Sequence, residues 1–439
     1  MNIFDIAAVL VVLAAMFGYA NHLLLRFPPT IGLVVMGLAA SLAAMGIQWL
    51  VPGFTLVDDL RGFLAEIDFY DALMNGMLAF ILFAGALHVN FSDLKEEKWM
   101  VVLTATAGLL LSTAIIGLGL SWATGMPLIV ALVFGALISP TDPVAVLGML
   151  KIIYVPKALQ TKIAGESLFN DGVAVVVFII LVALAFPSVG IGGGGEGHGG
   201  ADPLVIARLF AQEALGGAAM GGILGWIACK LLARVDEYVL EVLLTLALAM
   251  GTYALAHALH TSGPIAVVVA GIFIGNSGFR YGMSERTRTH VTDFWHLVDE
   301  ILNAALFLLI GIEILAIPFD RVPIEIVALT IPLVLFARTA AVGLPMLVLH
   351  KGRTFTRGTL PILVWGGLRG GISVALALSL PESEYKPLIL AATYTVVIFS
   401  IVVQGLSMGP VIRRFGPQAV EEEAEQDRLE AGEQAAARH

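Results

Sequence analysis

Apolar residues occur in long runs along most of the chain, and short polar segments separate one run from the next. A helix needs about 20 apolar residues to cross the hydrocarbon core of a bilayer. Thirteen runs come close to that length, and the pattern predicts a membrane-spanning helix at residues 3–25, 28–47, 69–89, 99–122, 126–150, 160–186, 203–233, 238–258, 264–279, 296–317, 323–349, 357–380 and 386–411. The predicted fold class is therefore an all-α polytopic membrane protein.

Two of the predicted spans contain residues that interrupt a helix. The fifth contains Ser139-Pro140-Thr141-Asp142-Pro143, whose two prolines lack backbone donors and push the preceding residues out of helical geometry. The twelfth contains Gly366–Gly371, in which four glycines weaken the helix. A matched pair of interruptions in the two halves of a transporter is typical of inverted repeats that build a transport site. We therefore predict two inverted six-helix repeats, with broken and crossing helices 5 and 12.

The connections between spans predict the orientation, because Lys and Arg accumulate on the cytoplasmic side. Most of the 24 Lys and Arg residues fall in alternate connections that are cytoplasmic if the N-terminus lies outside. The Gly-rich stretch between Pro187 and Pro203 is typical of a flexible loop, and we predict that it joins the two halves of the membrane domain. Residues 1–415 are predicted to form the membrane domain, and residues 416–439 an acidic cytoplasmic tail without assigned chemistry.

Composition supports the membrane assignment and excludes several function classes. The chain is 58% hydrophobic and only 13% charged, whereas soluble domains are about a quarter charged. Its net charge of −10 argues against a nucleic-acid partner, which would need a basic face. Cys229 is the single cysteine, so neither a disulfide framework nor a cysteine metal cluster is expected within one chain. The first apolar run lacks the basic leader and cleavage site of a signal peptide, and we predict a retained first helix.

Asp171 is the leading candidate for chemistry, because charged residues inside spans are costly and usually functional. Helical spacing places Ser167 and Asp171 on one face, with Glu166 and Asn170 on the adjoining face. A carboxylate removed from water can hold either a proton or a hard cation with oxygen ligands. Competition between a proton and a cation for one carboxylate would give antiport. The alternative is that Asp171 only caps the start of a helix.

Other polar residues near the interruptions allow two interpretations each. Asp142 either contacts the cation or holds the broken backbone, and we favour the structural role, with Thr141 as a candidate ligand. Glu166 needs a cationic partner, for which Arg338 in the eleventh span is the natural candidate. Arg369 either caps the carbonyls of a half-helix or pairs with Asp142.

Three polar residues begin the tenth span near its predicted cytoplasmic end: Asp299, Glu300 and Asn303. They either line a funnel that leads to the site or merely lie at the membrane interface.

The motifs Thr141–Pro143, Glu166–Asp171 and Gly367–Gly370 resemble those of the NhaP-type sodium/proton antiporters of the cation/proton antiporter superfamily. The likeness spans nearly the whole membrane region. It implies that Asp171 is the carboxylate that binds both the ion and the proton, with Ser167 and the Thr141 backbone as further ligands and Asn170 as part of the same ion-binding site. The family's buried ion pair would be Glu166 with Arg338.

The resemblance also implies architecture and stoichiometry. The Asn170-Asp171 pair is similar to that of the electroneutral members, which exchange one cation for one proton. The implied NhaA-like fold is a homodimer in the cell (inner) membrane, with a scaffold of helices 1–3 and 7–10 and a moving core of helices 4–6 and 11–13. The substrates would be Na⁺, together with Li⁺, and H⁺; neither a cofactor nor enzymatic activity is expected. The chain departs from many relatives at Phe83–Leu87 in the third span, where an acidic residue is absent.

Three alternatives compete with sodium/proton exchange. A slightly larger oxygen cage would favour potassium/proton exchange. An intramembrane aspartyl protease would also need two membrane aspartates, here Asp142 and Asp171, but neither lies in a Gly-x-Gly-Asp motif. A channel suits a lone protonatable carboxylate in a broken-helix core less well than an exchanger does.

Overall fold

The computed structural model describes residues 3–51, 62, 69–144, 146, 157–187, 203–317, 322–350 and 358–416. Throughout these residues the regular secondary structure is helical, which confirms the predicted all-α class. The predicted Gly-rich loop, the acidic tail beyond residue 416 and the last part of the fifth predicted span lie outside the described residues.

The described helices follow the apolar runs closely. They are α1 (Ile3–Leu24), α2 (Pro29–Leu50), α3 (Phe69–Leu87), α4 (Phe91–Thr124), α5 (Leu128–Ile138), α6 (Lys157–Ala185), α7 (Pro203–Leu232), α8 (Tyr238–Ala258), α9 (Gly263–Tyr281), α10 (Glu285–Glu313), α11 (Ile324–Leu349), α12 (Thr359–Trp365), α13 (Gly371–Leu378) and α14 (Lys386–Phe415). Within the described part of the chain, eleven helices are long and apolar enough to cross a membrane. The chain is therefore an integral membrane protein.

Two helices begin well before the position that hydropathy predicts. α4 was expected from residue 99 and α10 from residue 296, but they begin at Phe91 and Glu285. Their first turns are polar, and each is stabilised by a cap: the Asn90 side chain accepts a hydrogen bond from the Ser92 amide (2.8 Å), and the Ser284 side chain accepts one from the Thr287 amide. Hydropathy marks only the apolar part of a helix, so it misses such extensions.

The helices form two groups according to their packing partners. In the first group, α4 packs on α5 and α11, α6 packs on α4 and α5, and α14 packs on α11, α12 and α13. In the second group, α2 packs on α1 and α10, and α9 packs on α3, α7 and α8. Contacts between the groups are fewer, and the cavity described below lies at their junction.

Both helix interruptions that the sequence predicts are present. α5 ends at Ile138, just before Pro140, and the helical path between α12 and α13 is broken from Gly366 to Gly370. The two breaks lie against each other, because the Asp142 amide donates a hydrogen bond to the Leu368 carbonyl (2.9 Å). Each break thus provides a hydrogen-bond partner for a free backbone group of the other break. Lipid could not provide such a partner.

Candidate functional site

A cavity of about 470 Å³ lies where the two groups of helices meet. Its walls come from α3, α6, α10, the break after α5 and the start of α13. Polar and charged side chains from these elements line it, including Thr141, Asp142, Asp171, Asp299, Asn303 and Ser373. The fold therefore places residues of both helix interruptions and the α6 carboxylate around one cavity.

Asp171 lies deep in this space, on the middle of α6. Its side chain is only 7% exposed, although it lines the cavity. The alternative that Asp171 caps a helix start is wrong, because α6 begins at Lys157, about four turns earlier. A carboxylate at this depth has little water to stabilise its charge, so a proton or a cation must do so.

Two hydroxyl groups lie together one helical turn from Asp171. The Thr141 hydroxyl, from the break after α5, is 3.0 Å from the Ser167 hydroxyl on α6. Thr141 and Ser167 are both 2% exposed. Since Ser167 and Asp171 share one face of α6, the arrangement gathers two neutral oxygen donors beside one carboxylate. Oxygen ligands of this kind are the ones that hard monovalent cations prefer.

Asn170 binds the broken segment. Its Nδ2 donates to the Thr141 hydroxyl (2.9 Å), and its Oδ1 accepts a hydrogen bond from the Thr141 amide (3.4 Å). Both polar atoms of the Asn170 amide thus hold Thr141 against α6. In this conformation Asn170 positions a candidate ligand, a contact that the sequence did not indicate.

The contacts of Asp142 fit the structural interpretation that we favoured. Its Oδ1 accepts a hydrogen bond from the Val144 amide (2.9 Å), which satisfies a donor freed by the proline break. The side chain also lines the cavity and lies within electrostatic range of Asp171. Asp142 therefore supports the backbone while presenting a second carboxyl group to the cavity.

Glu166 and Arg338 form a buried, bidentate ion pair between α6 and α11. Arg338 Nη2 donates to Glu166 Oε2 (3.0 Å), and Nη1 donates to Oε1. Nη2 also donates to the Leu363 carbonyl on α12 (3.0 Å). The residues are 3% and 6% exposed, respectively. The pair therefore ties together three helices of one group.

Arg369 contacts carbonyl groups at the two breaks. Its Nη1 donates to the Pro140 and Gly367 carbonyls, each at 3.3 Å. Of the two interpretations of Arg369, these contacts correspond to the capping of half-helix carbonyls. The guanidinium joins one break to the other through buried backbone.

The three polar residues near the start of the tenth predicted span all line the cavity. Asn303 Nδ2 donates to the Asp299 carbonyl and to its Oδ1, both at 2.9 Å, while Glu300 is exposed. Asp93 and Gln160 line the same region, and sequence reasoning missed them. Each lies in the polar end of a helix. There the sequence does not distinguish a residue that lines a cavity from one that lies at the membrane interface.

Comparisons with known proteins all point to the same protein family. Residues 11–414 match the family described as sodium/hydrogen exchanger, transmembrane. The chain is 48% identical over 425 residues to the Na⁺/H⁺ antiporter NhaP of Pseudomonas aeruginosa, covering 94% of this chain and 96% of that protein. It is 37% identical over 395 residues to the Na⁺/H⁺ antiporter NhaH of Halobacillus dabanensis, covering 90% and 93%.

The fold also matches a solved structure. The sodium proton antiporter MjNhaP1 from Methanocaldococcus jannaschii, at pH 8, aligns with a TM-score of 0.71 over 94% of this chain and 98% of that one. At 20% sequence identity, this match supports the fold alone. Together with the family match over nearly the whole chain, it leads to one conclusion: the chain belongs to the sodium/hydrogen exchanger family.

Proposed function

We propose that this chain exchanges Na⁺ for H⁺ across the membrane by alternating access, and that the two ions compete for Asp171. The observation that carries the proposal is a buried carboxylate in a cavity between two helix groups, beside the paired hydroxyls of Thr141 and Ser167. The relatives named above are Na⁺/H⁺ antiporters, which supports the same ions here.

Na⁺ suits the chemistry of this site. The Asp171 carboxylate would supply the charge, and the Thr141 and Ser167 hydroxyls would replace part of the ion's water shell. Li⁺ has the same preference for oxygen ligands, so we expect it to be transported as well. The named relatives favour sodium over the potassium alternative. The family match places the chain among transporters, and this argues against an intramembrane protease.

We infer a stoichiometry of one Na⁺ for one H⁺. Asn170 occupies the position next to Asp171, and its amide cannot titrate; both of its polar atoms are also engaged by Thr141. One carboxylate that alternates between one proton and one monovalent cation moves equal charge in opposite directions. No additional cofactor enters this cycle.

The packing groups suggest which parts move. The group of α4–α6 and α11–α14 holds Asp171, Thr141 and the ion pair, and would form the moving core. The group of α1–α3 and α7–α10 would form the fixed scaffold of a homodimer. We place the N-terminus outside and the C-terminus in the cytoplasm of a cell (inner) membrane, so that Asp299, Glu300 and Asn303 line a cytoplasmic funnel.

Asp171→Asn tests the proposal directly. The amide keeps the size of the side chain but can neither bind a proton nor supply negative charge, so we expect Na⁺-driven proton flux in proteoliposomes to be abolished. Asp293→Asn is the matched control, because Asp293 is exposed on α10 and should leave the flux unchanged. Full flux in a well-folded Asp171→Asn protein would refute the mechanism.

A further inference from the structure

The cavity is open at one end and closed at the other. The residues at the open end, His88, Asn90, His296 and Glu300, are exposed. At the opposite end the lining side chains are apolar and buried, namely Leu73, Leu78 and Leu306. Since His88 and Leu73 lie near opposite ends of α3, they mark opposite sides of the cavity. Alternating access requires ions to reach Asp171 from the closed side as well.

The face of α10 that lines the cavity continues past this closed end. Asp299, Asn303 and Leu306 are spaced by three or four residues, and the same spacing leads through Ile310 to Glu313. Glu313 lies seven residues beyond Leu306, which is about 10 Å along a helix axis. Glu313 as a whole residue is only 8% exposed. A buried acid thus lies on the cavity-lining face of α10, beyond the apolar closure.

The end of α10 that carries Glu313 is held by α2. The Ser41 hydroxyl donates to the Gly311 carbonyl (3.3 Å). A Cβ on Gly311 would lie only 2.8 Å from the Val34 carbonyl oxygen, so the two helices touch closely through this glycine. Glu313 therefore belongs rigidly to the group that we propose as the scaffold.

Tyr394 lies on α14, in the other helix group. Its side chain is 0% exposed, and within the described part of the chain its hydroxyl has no hydrogen-bond partner. The Glu313 carboxylate lies close enough to act electrostatically on this hydroxyl. An unpaired buried hydroxyl is costly, and its proximity to a buried acid on the opposing helix group requires an explanation.

Among the residues that the structure describes, few other charged groups face Glu313. The neighbouring helices α2 and α13 contain no charged residue. Asp71 at the start of α3 is exposed, and Lys386 at the start of α14 forms an ion pair with Glu382. Within the described ranges, Glu313 is thus a buried carboxylate on this side of the molecule that could receive a cation or a proton.

We propose that Glu313 is a second ion-handling carboxylate, which receives Na⁺ or a proton on the closed side and transfers it to or from Asp171, with the Tyr394 hydroxyl close to it on the other helix group. The proposal rests on the exchange function proposed above. When the core moves against the scaffold, Tyr394 and Glu313 separate and water reaches the carboxylate. Glu313 then carries one Na⁺ or one proton at a time, so the overall exchange ratio is unchanged.

The test is transport measured separately from each side. Everted and right-side-out membrane vesicles containing the full chain are compared, and sidedness is assigned by labelling Lys95→Cys, in a Cys229→Ser background, with an impermeant maleimide. Lys95 is exposed near the open end of the cavity, in the first turns of α4. For Glu313→Gln we expect the apparent KM for Na⁺ to rise about tenfold from the closed side, and less than about twofold from the open side.

Three further variants make the result specific. Glu300→Gln, at the open end, should give the opposite sidedness. Tyr394→Phe keeps the ring but loses the hydroxyl, and should give a smaller effect of the same sidedness as Glu313→Gln. Glu313→Asp keeps a carboxylate and should remain close to the unmodified chain, even if Glu313→Gln were to assemble poorly in the membrane.

Two results for Glu313→Gln would overturn the proposal: an apparent KM for Na⁺ that is unchanged from both sides, or one that changes equally from both sides. Glutamine preserves hydrogen bonding, and a purely structural role of Glu313 would affect both sides equally. Absence of Na⁺-driven proton flux in the unmodified chain would instead refute the exchange function and the proposal together. Normal flux in the unmodified chain with no sided effect in Glu313→Gln would refute the proposal alone.

Discussion

Glu166 and Arg338 carry opposite charges inside the protein, and Glu166 directly precedes Ser167 of the site. Taking two charges out of water costs several kcal/mol for each ion, so a buried pair is stable only with good geometry. Here the contact is bidentate, and the guanidinium also reaches the Leu363 carbonyl. We regard the pair as a clamp that fixes α6 relative to α11 and α12.

Removing either partner should strongly destabilise the protein. Glu166→Gln or Arg338→Met leaves one buried charge uncompensated, which costs about 3–5 kcal/mol where the charge is fully desolvated. We expect both variants to have a lower melting temperature in detergent and a lower exchange activity. The double variant should recover part of the loss, because no unpaired charge remains.

Glu382→Gln is the matched control for this prediction. Glu382 also pairs with a cation, Lys386, but its side chain is 90% exposed, and exposed pairs are worth about 0–1 kcal/mol. The melting temperature of the Glu382→Gln variant should therefore change little. Unchanged melting temperatures in both Glu166→Gln and Arg338→Met would show that the buried pair does not hold the core.

At the residue scale, helical spacing predicts that Ser167 and Asp171 share one face, and both lie within the continuous helix α6. Charge complementarity suggested Arg338 for Glu166, although 172 residues separate them. The sequence did not indicate that Asn170 would bind Thr141, because that contact depends on how the broken segment folds back onto α6. Contacts within one helix are predictable from periodicity, whereas contacts to irregular backbone are not.

The two broken helices are joined where Gly370 lies against Asp142. A Cβ on Gly370 would lie 2.6 Å from the Asp142 Cβ and 2.8 Å from its Cγ, closer than carbon atoms approach in folded proteins. The Asp142 carboxylate also accepts a hydrogen bond from the Val144 amide, and the Asp142 amide donates one to the Leu368 carbonyl. A side chain at position 370 would therefore push the breaks apart.

Gly370→Ala should impair both stability and transport. Inserting a methyl group into a close contact typically costs about 1–3 kcal/mol, and the shift would move Asp142 and Thr141 away from α6. We expect a lower melting temperature and a reduced maximal exchange rate. Gly251→Ala on α8 is the control, since a Cβ there meets nothing within 4 Å and should be neutral or slightly stabilising. Wild-type exchange in Gly370→Ala would show that this close approach is dispensable.

At the element scale, the positions of the breaks were predictable because proline and glycine act locally. The prolines at 140 and 143 and the glycines from 366 to 371 mark the interruptions that the structure contains. The contact between the breaks was not predictable from the residues, since nothing local to either segment indicates its partner. The early starts of α4 and α10 were missed because their caps lie in polar sequence.

At the scale of the whole molecule, apolar run lengths predicted the class of fold, because backbone in a bilayer must be helical or in a closed barrel. The arrangement of helices around the cavity came through the family resemblance rather than through periodicity. Run lengths do not specify which helices pack together, since every span presents apolar surface to its neighbours and to lipid.

In the whole transport cycle, we propose that Asp171 carries either one Na⁺ or one H⁺ between the two sides, so that the exchange ratio is one to one. Asp142 is the residue that could break this rule, because it lines the same cavity and lies within electrostatic range of Asp171. If Asp142 titrated during the cycle, two protons would cross for each Na⁺ and net charge would move. A membrane potential is worth about 2.3 kcal/mol per charge per 100 mV, so the difference is readily measured.

The most direct measurement is Na⁺/H⁺ exchange in proteoliposomes whose membrane potential is clamped by potassium and valinomycin. We expect that initial rates do not depend on the imposed potential, and that steady-state gradients settle at one proton per Na⁺. A strong dependence of the initial rate on potential, or gradients that settle at two protons per Na⁺, would contradict it and would bring a second titrating group into the cycle.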